Sequence, residues 1–267
     1  MLKDITIGQY LPLDSLVHKL DSRTKIISTI FYIFSVFLIN NLHSYVLIAL
    51  YLILCIVLSK IPFKFILRGL RPIVFLIIFT SILQLFFTSG VDIIYRLGPV
   101  VIYKEGIIRT IGLILRFIFM IIGTSLMTLT TSPIELTDGI EGLLQPFKRI
   151  GVPAHEIAMM LTIALRYIPI LMDETDKIMK AQMSRGAELD SKNIIKKAKN
   201  LIPILIPLFV SSIRRADELS MAMESRCYRG GEGRTKLKKL EYVSIDYVAF
   251  AITGVYLLLC IGSRYIL

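Results

Sequence analysis

Apolar residues run along this chain in long blocks, at about Ile26–Asn41, Tyr45–Ser59, Pro72–Thr88, Ile107–Leu129 and Val243–Ile261. Each block approaches the ~20 residues needed to cross a hydrocarbon core of about 30 Å, several near the short limit, so the pattern predicts five membrane helices. Ahead of the first block, Gly8 to Lys25 is polar, turn-rich and basic at its end. It reads as an interfacial lead-in, with Asp21 or Ser22 capping the helix and Arg23 and Lys25 holding its start at the headgroups.

Between the last two blocks the pattern changes to helical amphipathicity. Ser132-Pro133 opens a short helix to Leu144, with the serine as cap and the proline at the first helical position. Pro146 and the Gly151-Val152-Pro153 corner turn the chain, and Ala154 to Arg185 reads as a long helix with a kink expected at Pro169. A lysine-rich connector from Ser191 to Asn200 precedes a second helix from about Leu201 to Cys227, whose first half to Val210 is expected to lie at the membrane interface or to pack beneath the spans.

Charge orients this arrangement. The link Asn40–Ser44 has no Lys or Arg, the next carries Lys60, Lys64, Arg68 and Arg71 without an acid, and Ser89–Gly106 is nearly neutral. The bias toward basic cytoplasmic loops then places the N-terminus inside and the C-terminus outside. The expected fold class is an all-α polytopic membrane protein. Its organisation is four spans in residues 1–131, cytoplasmic coupling helices in 132–240 and a last transmembrane helix in 241–267.

Composition agrees: of 267 residues 55% are apolar, tryptophan is absent and the formal net charge is +11, with a mean hydropathy of +0.70. From Lys177 to Lys239 fifteen Lys and Arg face six acids. Such a segment belongs beside anionic headgroups or an acidic protein surface; no basic module interleaved with aromatics points to nucleic acid.

Chemistry-bearing residues are sparse. Cys55, Cys227 and Cys260 show no metal spacing, and His18, His43 and His155 stand alone. No apolar signal-peptide core lies between Met1 and Asp21. The Gly230, Gly231 and Gly233 loop follows a helix and lacks the G-x-x-x-x-G-K-[ST] pattern, which argues against a nucleotide site. Arg109 and Arg116 share a helical face, and a charge at Arg116's depth calls for an internal ion pair or a backbone carbonyl more than for a substrate. Methionines gather in the amphipathic region, at Met159, Met160, Met172, Met179, Met183, Met221 and Met223. They suit either a surface that repacks or ordinary helix packing.

One device occurs twice. Ala181-Gln182-Met183-Ser184-Arg185-Gly186 and Ala222-Met223-Glu224-Ser225-Arg226-Cys227 each end an amphipathic helix, after Ile168-Pro169-Ile170-Leu171 and Ile206-Pro207-Leu208-Phe209. A basic residue in a last turn is favoured by the helix dipole alone, and a glycine after it suits a left-handed cap. Two copies in a basic, membrane-anchored chain point instead to paired docking on a partner's carboxylates, which a planar five-donor fork grips well.

The run from Gly8-Gln9-Tyr10 to Leu20-Asp21-Ser22-Arg23-Thr24-Lys25, the Gly151-Val152-Pro153 corner, Ala164-Leu165-Arg166-Tyr167-Ile168-Pro169 and the two arginine stretches together resemble the EcfT family, the transmembrane T component of energy-coupling factor (ECF) transporters. The resemblance covers essentially the whole chain. It implies that two Ala-Arg-Gly motifs end cytoplasmic coupling helices and engage two ABC-type ATPase subunits. It also implies a membrane-embedded S component that binds a vitamin or other micronutrient, and a lever that turns ATP-driven closure into movement of that S component. ATP would be bound by the partner subunits, with no cofactor in this chain. The motif positions here are Ser184-Arg185-Gly186 and Ser225-Arg226-Cys227, and Ser22 stands where the family usually has proline. Because cysteine resists a left-handed cap, the second helix is expected to end differently or to continue toward Gly230 or Gly231. A self-sufficient secondary transporter would need ionisable groups at the midplane or a repeat across the spans, and an intramembrane enzyme would need paired catalytic groups there. Only Arg116 meets the first requirement, and nothing meets the second.

Overall fold

The computed structural model describes residues 10–39, 42–97, 100–187, 194–231 and 240–266. Two compact units are present, one of Gly8–Gly139 with Leu240–Leu267, the other built on Ile140–Lys239.

In the first unit α1 (Ser22–Leu38), α2 (Leu42–Ser59), α5 (Lys104–Thr130) and α9 (Ser244–Ile266) form a ring. α1 packs on α5 and α9, and α2 packs on the same two helices. The ring is aromatic at its centre. Tyr51 stacks on Tyr256 at 4.3 Å between centroids, with Tyr32 beside both at 5.8 and 6.3 Å. Each hydroxyl finds a partner, as burial requires: Tyr32 donates to the Phe119 carbonyl (2.8 Å), Tyr256 pairs with Ser35 (2.6 Å) and Tyr51 with Thr253 (3.2 Å). Val36, Ile39, Ile48 and Leu129 fill the space around them. The outer faces remain apolar and exposed, with Phe34, Val57 and Leu258 each more than 60% accessible. In water such a surface would be an aggregation hazard; in a bilayer it is the solvated face.

One end of the unit is polar and cross-linked. Asp21 caps α1 by accepting from the Arg23 amide (2.8 Å), and it also pairs with the Arg23 guanidinium at 2.8 Å. Arg23 lies over the Tyr242 ring, 4.0 Å from its centroid. Fully buried Asp246 accepts from the backbone amides of Asp21 (2.9 Å) and Val243 (2.8 Å), so one carboxylate fastens the starts of α1 and α9. The lysine expected at the headgroups is turned inward: Lys25 is 6% exposed and donates to the carbonyls of His18 (3.1 Å) and Thr130 (2.9 Å). Four residues link into the lead-in there. Leu11 donates its amide to the Leu129 carbonyl (3.0 Å), and His18 bonds the Leu11 carbonyl (3.0 Å) and the Ser15 hydroxyl (2.6 Å). Burial lowers the His18 imidazole below its ordinary value. Its neutral form donates through Nε2 to the carbonyl and accepts at Nδ1. At the other end of the ring Arg116 donates to the Ile39 carbonyl (2.7 Å), so a backbone carbonyl at the end of α1 takes part of its charge, as the sequence favoured.

Two links that read as loops in the sequence carry regular structure, and the second departs from the all-α expectation. The basic link after α2 folds as α3 (Phe63–Leu70), with Ile66 fully buried, Lys64 and Arg68 exposed and Gly69 close against Ser125 of α5. It bends by 55° into α4 (Val74–Phe87), a break that makes the pair one interrupted apolar element. The neutral link folds as an antiparallel hairpin of β1 (Ile93–Leu97) and β2 (Val100–Tyr103), Leu97 opposite Val100. β-branched residues in both strands, Ile93, Ile94, Val100, Val101 and Ile102, favour that pairing.

α6 (Pro133–Leu144) starts on a capping box: the Glu135 amide donates to the Ser132 hydroxyl (3.2 Å), and the Ser132 amide donates to the Glu135 carboxylate (3.3 Å). In the second unit a 3-10 helix (Gln145–Ile150) ends at Gly151, whose φ of 89° makes the corner into α7 (Ala154–Ser184). α8 (Ile194–Ser225) begins seven residues before the expected Leu201, so the second half of the lysine-rich connector is already helical. Pro203 and Pro207 lie inside it, Pro169 inside α7. Among the described residues, α5, α7 and α9 are long and apolar enough to cross a membrane, and the bent α3–α4 pair counts as a fourth if it forms one span. The chain is thus a multi-pass helical membrane protein.

Candidate partner-docking site

The two arginine stretches fold into the same local structure. At the end of α7 the Gly186 amide donates to the Met183 carbonyl (3.0 Å) and the Ala187 amide to the Gln182 carbonyl (3.0 Å). At the end of α8 the Cys227 amide donates to Glu224 (2.9 Å) and the Tyr228 amide to Met223 (3.0 Å). Both are Schellman caps, in which the residue after the last helical position turns left-handed and satisfies orphan carbonyls. Gly186 does this at φ 87° and Cys227 at φ 54°. The expectation that cysteine would divert or prolong the second helix is therefore corrected. Two carbonyl bonds offset a left-handed penalty of about 1–2 kcal/mol for a residue with a Cβ. Cys227→Gly should accordingly raise thermal stability by about 1 kcal/mol, read as a higher melting temperature of the purified protein; an unchanged or lower one would show the turn to be unstrained.

Both caps leave Arg185 and Arg226 in the equivalent position, at the helix end, where the dipole favours a cation. Ser184, Arg185, Gly186, Ser225, Arg226 and Cys227 are all exposed. The serine hydroxyls turn back onto their own helices, Ser184 to the Lys180 carbonyl (3.0 Å) and Ser225 to the Ala222 carbonyl (3.0 Å). A small, self-satisfied neighbour leaves the guanidinium as the group that a partner meets. Met183 and Met221, 48% and 61% exposed, add adaptable apolar surface near the tips.

The tips are separated by tertiary packing. Gln182 of α7 donates to the Pro203 carbonyl of α8 (3.4 Å), and Arg215 pairs with Glu174 (3.3 Å). One contact advances along α8 as the other retreats along α7, so the helices run antiparallel. Arg226 lies 23 residues beyond Pro203, which at 1.5 Å per residue sets the tips roughly 35 Å apart. The second tip is also tied down: the Tyr228 hydroxyl meets His155 Nε2 (3.4 Å), and His155 Nδ1 meets Glu141 (3.0 Å). His155 thus acquires partners from 14 and 73 residues away, which no local pattern in the sequence marks. Buried Asp246 of the other unit was missed for the same reason, and Lys25, read as a headgroup anchor, is buried as well. Among the described residues no group of His, Cys, Asp and Glu can hold a metal ion.

Comparison with known proteins gives the family. The family described as CbiQ, cobalt transport protein, matches residues 14–237. The energy-coupling factor transporter transmembrane protein EcfT of Clostridium kluyveri is 55% identical over 99% of this chain and 98% of its own. That of Thermosediminibacter oceani is 53% identical over 99% and 100%, and that of Bacillus subtilis 47% over 92% and 93%. Identity of this extent over nearly the whole chain shows that it belongs to the EcfT family of energy-coupling factor transporter transmembrane proteins.

Proposed function

We propose that the chain couples two ABC-type ATPase subunits to a membrane-embedded, substrate-binding S component, with Ser184-Arg185-Gly186 and Ser225-Arg226-Cys227 as the two ATPase-docking tips. As a member of its family it is a non-catalytic membrane subunit of an ECF-type importer, and ATP is bound by its partners. The observation that carries the docking assignment is the repetition of one cap geometry, with an exposed arginine at the same position, at the far ends of an antiparallel helix pair. Two sites roughly 35 Å apart suit two separate protein subunits better than one ligand. ATP-driven closure of those subunits would draw the tips with it, and α7 and α8 would transmit the motion to the S component.

Five spans follow in this reading, α1, α2, the α3–α4 pair, α5 and α9, with the N-terminus inside. Residues 1–131 and 241–267 then form the membrane part and 132–240 the cytoplasmic coupling part. α7 has the length to span, but Asp173, Glu174, Asp176, Lys177 and Lys180 crowd its last three turns, a load that favours an interfacial or aqueous position. Lys199 in α8 is exposed; Lys199→Cys should react with an impermeant maleimide only from the cytoplasmic side, and labelling from outside would reverse the orientation. Isolated from native membranes by an affinity tag, the chain should bring two ATPase subunits and a small membrane protein with it. ATP hydrolysis should belong to that assembly, and hydrolysis by the chain alone would contradict the proposal.

A further inference from the structure

A cavity of about 140 Å³ lies within the ring of α1, α2, α5 and α9. Tyr32, Tyr51, Gly123, Lys25 and Thr130 are among the residues that line it. Its wall is mostly apolar, with Leu52, Leu54, Leu58, Leu126 and Ile252 among the lining, and several of the polar side chains that reach it are engaged with the protein. Thr130 donates to the Leu126 carbonyl (2.8 Å), Ser59 to the Ile56 carbonyl (2.8 Å), Thr253 to the Ala249 carbonyl (2.8 Å), and Tyr51 meets Thr253. Lys25 spends two of its three donors on backbone carbonyls. An apolar void of this size stays dry and accepts a benzene-sized group.

The cavity also reaches the outer face. Leu54 of α2 and Ile252 of α9 line it and are 41% and 38% exposed, on faces whose other residues, such as Val57 and Val255, are the apolar exterior of a membrane protein. α2 and α9 pack on each other, so the opening lies along their seam. Around that seam the medium is hydrocarbon, and the species at highest concentration is a lipid acyl chain. Glycine at 123 lets the Tyr32 ring pack closely on α5, where a Cβ would run into it.

We propose that this cavity is an intramembrane site for the end of one phospholipid acyl chain, which enters between Leu54 and Ile252 and rests against Tyr51 and Cys55. The inference rests on the membrane placement of the ring and is independent of the ATPase-docking assignment. Filling the void with a mobile chain would let α2 and α9 shift against each other without opening a vacuum in the core.

The test uses the assembled complex in vesicles of phosphatidylglycerol carrying a diazirine at the end of one acyl chain, with adducts located by mass spectrometry. Adducts are expected on inward-facing Tyr51, Cys55 and Thr253 as well as on outward-facing Val57 and Val255. A water-soluble diazirine should leave the inward set unlabelled. Ala249→Phe, which fills the cavity from α9, should lose the inward adducts and keep the outward ones, whereas Leu258→Phe on the outer face should change neither. Adducts confined to the outward residues of the wild-type complex would overturn the proposal, as would equal labelling of the inward set by the aqueous probe or its persistence in Ala249→Phe. The wild-type comparison decides by itself if Ala249→Phe does not fold.

Discussion

Replacing both Arg185 and Arg226 with alanine is expected to abolish stable assembly with the ATPase subunits and, with it, ATP-driven uptake. If each guanidinium docks among carboxylates of its own subunit, its removal leaves buried charges unpaired at a cost of about 2 to 5 kcal/mol. The lower figure already weakens a contact by about thirtyfold. A single Arg185→Ala or Arg226→Ala protein keeps one anchor and should assemble poorly. The double variant also loses the effective-concentration advantage of two linked sites, so its defect should exceed the sum of the singles. Lysine at either position restores charge without the bidentate fork and should rescue only in part. Were the arginines mere caps, each substitution would cost under about 1 kcal/mol of helix stability and leave transport intact. Copurification and uptake at equal membrane expression separate these outcomes.

Asp246→Ala is expected to be the most damaging single change in the membrane part, although it touches no partner. Its carboxylate accepts from the amides of Asp21 and Val243, and the side chain is 1% exposed. Alanine orphans both donors at about 1–3 kcal/mol each, and together they weigh heavily against a typical stability of about 5–15 kcal/mol. It also unfastens α9 from the start of α1. Asp246→Asn keeps one acceptor oxygen and turns an N–H toward the other donor, so an intermediate loss is expected. The measurement is the melting temperature of the purified chain together with its monodisperse fraction on size exclusion. An Asp246→Ala protein that melts with the wild type would remove the proposed clamp.

The apolar blocks were legible because a long apolar run marks a helix locally, and α1, α2, α4, α5 and α9 lie where the hydrophobic runs do. Local signals also gave the Ser132 cap with its proline and the Gly151 corner. What could not be read was set by distant partners or by competing weak preferences. Lys25 looked like a headgroup anchor because its charge outweighs its neighbours in any local reading, yet two carbonyls from His18 and Thr130 draw it inward. α3 was hidden by the charges of Lys64 and Arg68, although Ile66 at the right spacing was enough to seat it on α5. In the hairpin, β-branched residues were masked by the expectation of a plain extramembrane loop. Cys227 followed the hydrogen bonds of a helix end rather than the steric preference of its own side chain. The repetition of the arginine device was visible in the sequence, whereas the separation of its two copies comes from antiparallel pairing through Gln182, Pro203, Glu174 and Arg215.

The most direct measurement is photo-crosslinking from the tips themselves. Benzoylphenylalanine placed at Ser184 or, separately, at Ser225 in the assembled complex should join the chain to an ATPase subunit from both positions, while the same group at exposed Phe75 in α4 should join it to none. Adducts to lipid alone from Ser184 and Ser225, or capture of an ATPase subunit equally well from Phe75, would contradict the assignment of the two arginine tips as the docking sites.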